Sequence, residues 1–132
     1  MEPQPLSLEE LAARVGTSTP RRQFLFERLR TVVQLFRGTG QVKRVYIFGS
    51  FVAATPLPND VDLFVVMARE FATAVLDERS ATVFTHELCR IRYNIDVFWV
   101  TEAVGEAAIK DMLDVFSRDR SQQPQGILEV TR

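Results

Sequence analysis

Cysteine and histidine are almost missing from this chain: Cys89 and His86 each occur once among 132 residues. A lone cysteine closes no internal disulfide, and one cysteine with one histidine falls short of the ligand set of a structural zinc site. Basic runs are equally scarce, none exceeding Arg21-Arg22, and the formal net charge is -1. That balance lacks the electrostatic footprint of sequence-independent nucleic-acid binding, so a polynucleotide is not the expected partner. No uninterrupted apolar stretch approaches the roughly 20 residues that a membrane-spanning helix needs. The opening Met1-Glu2-Pro3-Gln4-Pro5 has neither the basic nor the apolar region of a signal peptide. A cytoplasmic protein without a membrane partner is expected. Internal repeats and low-complexity linkers are missing too, which argues against a solenoid or a string of modules.

What the chain does have is the profile of a globular protein, 46% hydrophobic and 25% charged. Its length suits one compact domain and is too short for a catalytic domain plus a separate recognition domain of ordinary size. One domain over 1–132 is expected, with 1–19 as a loosely held peripheral segment. Within that segment Ser7-Leu8-Glu9-Glu10, followed by Leu11 and Val15, has the form of a short capped helix. Thr19 as cap and Pro20 in the first helical position then start a helix whose Leu25, Leu29, Val32 and Phe36 share one face. It should stop near Gly38-Thr39-Gly40.

Val42 to Phe48 is β-branched and aromatic and leads into Gly49, which predicts a strand delivering a glycine turn. Pro56, Pro58 and Asn59 predict a loop. Asp60 to Met67 begins acidic and continues Leu63-Phe64-Val65-Val66-Met67, as a strand covered on both faces would. Residues 69–90 read as helical with an interruption at 77–80, Tyr93 to Val100 as a third strand, Val104 to Phe116 as a helix, and Gly126 to Thr131 as a last strand. The expected class is α/β (α+β), a small mixed sheet of about four strands with helices packed on it.

Asp60 and Asp62 open the second of these strands. Side chains two apart on a strand share a face, so both carboxylates project together. Two like charges side by side are costly unless a cation or hydrogen-bond donors compensate them, and magnesium takes oxygen ligands of this kind. Asp96 repeats the pattern within Ile95-Asp96-Val97-Phe98-Trp99 and converges on the same point if the third strand lies beside the second. Three carboxylates can hold two metals for in-line displacement at phosphorus, or the third can deprotonate the attacking hydroxyl. The alternative for Asp96 is a solvent-facing position, with Asn94, on an alternating strand. Gly49 lets backbone approach phosphate closely, and Ser50 adds a hydroxyl; a helix starting here would further favour an anion.

Phe48-Gly49-Ser50, a spacer of nine residues, Asp60-Val61-Asp62 and the later Asp96 resemble the signature of the nucleotidyltransferase superfamily, whose fold is that of DNA polymerase beta. The wider wording is similar to an uncharacterised bacterial branch of minimal single-domain members. It comprises Phe48 to Val52, Pro58 to Leu63, Asp96 to Trp99, Asp119-Arg120 and Gly126 to Val130, so the likeness spans roughly residues 20 to 131. This resemblance implies transfer of a nucleoside monophosphate, AMP foremost, from ATP or another nucleoside triphosphate to a hydroxyl on a protein or small molecule. By position, Gly49 and Ser50 would contact the triphosphate. Asp60 and Asp62 would bind magnesium or manganese, and Asp96 would complete the second metal site or serve as base. Minimal members often act as antitoxins of HEPN-type toxins, so a helical protein partner is implied, and a weakly active or inactive binding module of the same fold is the alternative.

The remaining singular residues have plainer readings. His86 is expected on a helix surface, Cys89 and Trp99 in the core, and Lys43, Arg44, Lys110, Arg118 and Arg120 in solvent without an assigned role. Open strand edges in so small a sheet favour a homodimer.

Overall fold

In a computed structural model, the structure describes residues 3–16, 18–53, 57–119, 121–123 and 125–131. Pro56 and Arg120 lie outside them. Strand β1 (Gln4–Ser7) leads into α1 (Leu8–Leu11), which widens into a π-helical turn at Ala12–Gly16. The long helix α2 (Pro20–Gly38) is followed by β2 (Val42–Phe48) and β3 (Val61–Met67). A 3₁₀ turn (Thr73–Val75), α3 (Glu78–Val83) and α4 (His86–Tyr93) then connect to β4 (Ile95–Thr101). A second 3₁₀ turn (Glu102–Val104), α5 (Glu106–Phe116) and β5 (Leu128–Thr131) complete the described elements.

The strands form one mixed sheet in the order β1-β5-β2-β3-β4. β2 runs antiparallel to both β3 and β5, whereas β3–β4 and β1–β5 are parallel pairs. The mixed α/β class read from the sequence holds, with five strands rather than about four among the described residues. The additional strand is the opening segment, expected to be loose. Pro5 lacks an N–H, which argues against a central strand, but β1 lies at the sheet edge, where proline is tolerated. Leu6 is buried there, opposite Val130.

Period-two alternation sorts the side chains onto two faces. Val45, Ile47, Leu63, Val65, Ile95 and Val97 pack with Leu25, Leu29, Val32 and Phe36 of α2. The helix begins as expected, with Thr19 Oγ1 accepting the Arg22 N–H at 3.1 Å and Pro20 in its first turn. Likewise, Ser7 and Glu10 exchange reciprocal side-chain and backbone hydrogen bonds at the start of α1. On the opposite face Tyr46, Phe48, Phe64, Val66 and Ile109 pack together, flanked by Met112, Leu113 and Phe116 of α5. Residues Leu63 to Met67 are buried throughout, as a strand covered on both sides requires.

Three boundaries differ from the sequence expectation. Between 69 and 90 the helical breaks fall around the 3₁₀ turn and at Phe84-Thr85, while Asp77 caps α3 by accepting the Ser80 N–H at 2.7 Å. An Asp at this position can read as a breaker or as a helix start. Tyr93 ends α4, and Asn94 takes a left-handed conformation (φ 60°), so β4 begins only at Ile95. β5 begins at Leu128, after the irregular backbone of Gly126-Ile127.

Candidate active site

Asp62 and Asp96 are direct neighbours across the parallel β3–β4 pair, and Asp62 pairs with Phe48 across β2–β3. One cross-strand row therefore reads Phe48, Asp62, Asp96, and the next reads Tyr46, Phe64, Phe98. Both rows belong to the face that α5 covers, and the carboxylates lie at its open end. Asp60, two residues before Asp62, turns to the same place: each of the three aspartates offers an oxygen, all within 4.8 Å of one another. Asp96 is thus brought into the cluster, and its alternative reading as a solvent-facing strand position does not apply. Its side chain is 15% exposed.

Asp96 Oδ1 is buried and accepts no hydrogen bond. His86 Nε2 at 3.4 Å and Arg90 Nε at 3.7 Å stand at ion-pair distance without hydrogen-bond geometry. His86 is on the helix surface as expected, at the first residue of α4, yet next to the third carboxylate. A buried carboxylate oxygen without a hydrogen donor carries a desolvation cost that a cation would offset. The oxygen-only donor set, the mutual approach of the three groups and this orphan atom together fit a hard divalent cation.

Gly49 has φ +84°, and a Cβ added there would strike the Asp62 carboxylate, lying 3.1 Å from its Cγ. The position needs glycine both for its backbone conformation and for the close approach of the carboxylate. The residues after it form a single turn, with Val52 and Ala53 both donating to Gly49 O. The helix considered as a continuation of this turn does not form among the described residues. Phe51 is fully buried and anchors the turn in the core.

The cleft has a volume of about 570 Å³. Gly49, Ser50, Asp60, Asp62 and Asp96, the five residues singled out in the sequence, all line it. Its other wall comes from Phe48, Phe98 and Phe116 and from the segment after α5, including Arg118 and Asp119. Gln125 Nε2 ties that segment by donating to Phe116 O (2.9 Å) and Arg118 O (3.2 Å). Of the cations left unassigned, Arg118 reaches the cleft. Arg44 pairs with Glu106, while Lys43 and Lys110 line grooves elsewhere on the surface.

Sequence reasoning missed the two arginines that hold the loops of the cleft. Arg22 is 3% exposed, and its guanidinium donates to Phe51 O (2.7 Å), Ala53 O (2.7 Å) and Val15 O (3.2 Å). Arg21 donates to Pro58 O (2.9 Å) and Asn59 O (2.6 Å), immediately before Asp60. Adjacent residues of α2 thus grip the glycine turn and the carboxylate loop from one rigid element. The available signal was position: Arg22 falls three residues before Leu25, on the apolar stripe where a charge is out of place. Cys89 and Trp99 are structural, as expected. Cys89 is buried, and Trp99 packs on Phe71 and Phe84 while its Nε1 donates to Phe84 O at 2.9 Å.

Among solved structures the chain is similar to a protein from Sulfolobus solfataricus provisionally named a nucleotidyltransferase. The identity is 20%, covering 90% of this chain and 93% of that one with a TM-score of 0.42. It is also similar to a chain in the complex of tri-AMPylated Shewanella oneidensis HEPN toxin with MNT antitoxin, at 17% identity, 76% and 70% coverage and a TM-score of 0.38. No curated protein matches it. No helix among the described residues is long and apolar enough to cross a membrane. The model of one family matches residues 3–131, nearly the whole chain including β1 and the aspartate cluster, and the protein belongs to that family, DUF6932, a family of unknown function.

Proposed function

We propose that this chain is a metal-dependent nucleotidyltransferase that moves a nucleoside monophosphate, AMP foremost, from a nucleoside triphosphate to a hydroxyl of a protein or small molecule. The observation that carries the reading is the convergence of Asp60, Asp62 and Asp96 within 4.8 Å, in one cleft with the Gly49-Ser50 turn. Asp60, Asp62 and Asp96 would hold magnesium or manganese, which when bound would neutralise triphosphate charge and make the acceptor hydroxyl more acidic. Gly49, which carries no side chain of its own, and the Ser50 hydroxyl would contact the triphosphate. The acceptor oxygen forms a bond to the α-phosphorus as the bond to the bridging oxygen of the β-phosphate breaks. Pyrophosphate leaves, and the hydroxyl proton passes to Asp96. Arg21 and Arg22 do not act on the substrate; they hold the two loops at their working separation.

Calorimetric titration of ATP with and without magnesium, on the wild type and the Asp60→Asn/Asp62→Asn double variant, tests this reading. Magnesium-dependent binding lost in the folded variant supports it, and transfer of labelled nucleotide should be lost with it. Absence of triphosphate binding by the wild type under every metal condition overturns it.

A second reading has its own observation. Leu88 and Ile91 are exposed on α4, and Ile91 stands beside Asp60 and Arg90. An exposed apolar side chain beside a polar groove, with a second three residues earlier on the same helix, suits a protein that docks a partner there, as an antitoxin docks a HEPN-type toxin. Partner capture that survives loss of Asp60 and Asp62 but not Leu88→Glu/Ile91→Glu would favour this role, and an enzyme acting on a protein would need the same surface.

A further inference from the structure

Phe98 follows Asp96 by two residues on β4 and so projects from the same face, one row behind the carboxylates. It is 41% exposed although it lines the cleft, whereas its cross-strand neighbour Phe64 is buried. Its ring is backed on one side by Phe116, at 5.4 Å between centroids, and touched by His86 at 5.0 Å. Phe48 stacks on Phe116 at 4.4 Å and so stiffens the group from below. Burial alone does not account for a large ring held by aromatic neighbours and left open toward a polar cleft. Burying one more phenylalanine would be favourable, and α5 already covers the adjacent row.

We infer that Phe98, supported by Phe116 and flanked by His86, is the platform on which the nucleobase of the triphosphate stacks. The inference rests on the nucleotidyltransferase reading and assigns the part of the substrate that the carboxylates and the glycine turn leave unassigned. With a divalent cation held by Asp60, Asp62 and Asp96, the triphosphate would lie at that end of the sheet face, and the flat π-face of the base would meet the aromatic row behind it. Stacking uses a π-face that every base has, so the platform gives affinity for a nucleotide over bare polyphosphate without strong choice among bases. Selection of adenine over other bases requires groups beyond Phe98.

The test is calorimetric titration of two probes in magnesium, ATP and inorganic tripolyphosphate, into the wild type and into Phe98→Leu and Phe98→Tyr. Circular dichroism confirms that each variant is folded. Phe98→Leu should weaken ATP binding by about tenfold and leave tripolyphosphate binding unchanged, and Phe98→Tyr should retain the wild-type affinity for both. Equal weakening for the two probes, or no change for ATP, overturns the platform while leaving the triphosphate site in place. Wild-type protein that binds tripolyphosphate as tightly as ATP also overturns it. If the wild type binds neither probe, the nucleotide reading itself falls and the platform with it.

Discussion

At Gly49, backbone and neighbour impose the same requirement. The φ of +84° excludes most L-residues at low cost, and the space a Cβ would need is taken by the Asp62 carboxylate. Gly49→Ala should therefore cost about 1–3 kcal/mol in urea unfolding and should also abolish magnesium-dependent ATP binding, because Asp62 must move to admit the methyl group. Cys89 makes a prediction of another kind. Burial, with the Asp96 charge adding to it, pushes its thiol from 9.0 up to about 12. Below pH 9 the thiol is protonated in both states and its contribution is fully present. From pH 9 to about 12 the unfolded chain releases the proton and the folded chain keeps it, so stability falls by roughly 1 kcal/mol per pH unit. Unfolding curves of Cys89→Ala should show a flatter decline than the wild type over that window. In the native protein, thiol reagents should label Cys89 only after denaturation.

Single elements carry the next level of organisation, and α2 is the one on which the cleft depends. Its Leu25, Leu29, Val32 and Phe36 stripe fixes it against the sheet, so the guanidinium groups of Arg21 and Arg22 project from a rigid support onto the carbonyls of both cleft loops. Arg22→Met removes a buried donor and strands the Phe51 and Ala53 carbonyls. It should cost about 2–4 kcal/mol in denaturant unfolding, and Arg22→Lys should not restore this, since an ammonium lacks the planar fork that reaches several carbonyls. Arg21 is less enclosed: Arg21→Gln should lower stability by less than about 1 kcal/mol while weakening ATP binding several-fold through a looser Pro58-Asn59 segment.

The same element shows what was legible beforehand. The cap, the proline start and the apolar stripe of α2 are local signals and were read correctly. The cleft partners of Arg22, Phe51 and Ala53, lie 29 and 31 residues away, and no local pattern announces a contact of that range. The carboxylate cluster was readable because period-two alternation and an acidic pair on a buried strand admit few geometries. β1 was not, because a short edge strand with a proline takes its stability from its partner β5 and from Leu6, neither of which propensity records.

For the molecule as a whole, the cluster sets stability against function. Three carboxylates within 4.8 Å in a partly buried cleft repel one another, a cost that the Arg90 and His86 side chains beside Asp96 counter in the metal-free protein and that a bound cation would counter further. Asp62→Asn removes one charge with little change of shape and should raise Tm in chelator. Magnesium with ATP should invert the order. A ligand that binds only the folded state stabilises it by about 2.7 kcal/mol at a hundred times its dissociation constant, which for a chain of this size is a rise in Tm of several degrees. The wild type should show that rise and Asp62→Asn should not, so the two melting curves should cross between chelator and magnesium-ATP. Parallel curves, with the variant lower in both conditions, would mean that Asp62 is held for folding alone. A crossing requires the charges to be a burden in the bare protein and an asset only with ligand, as expected of groups kept for binding and not for packing.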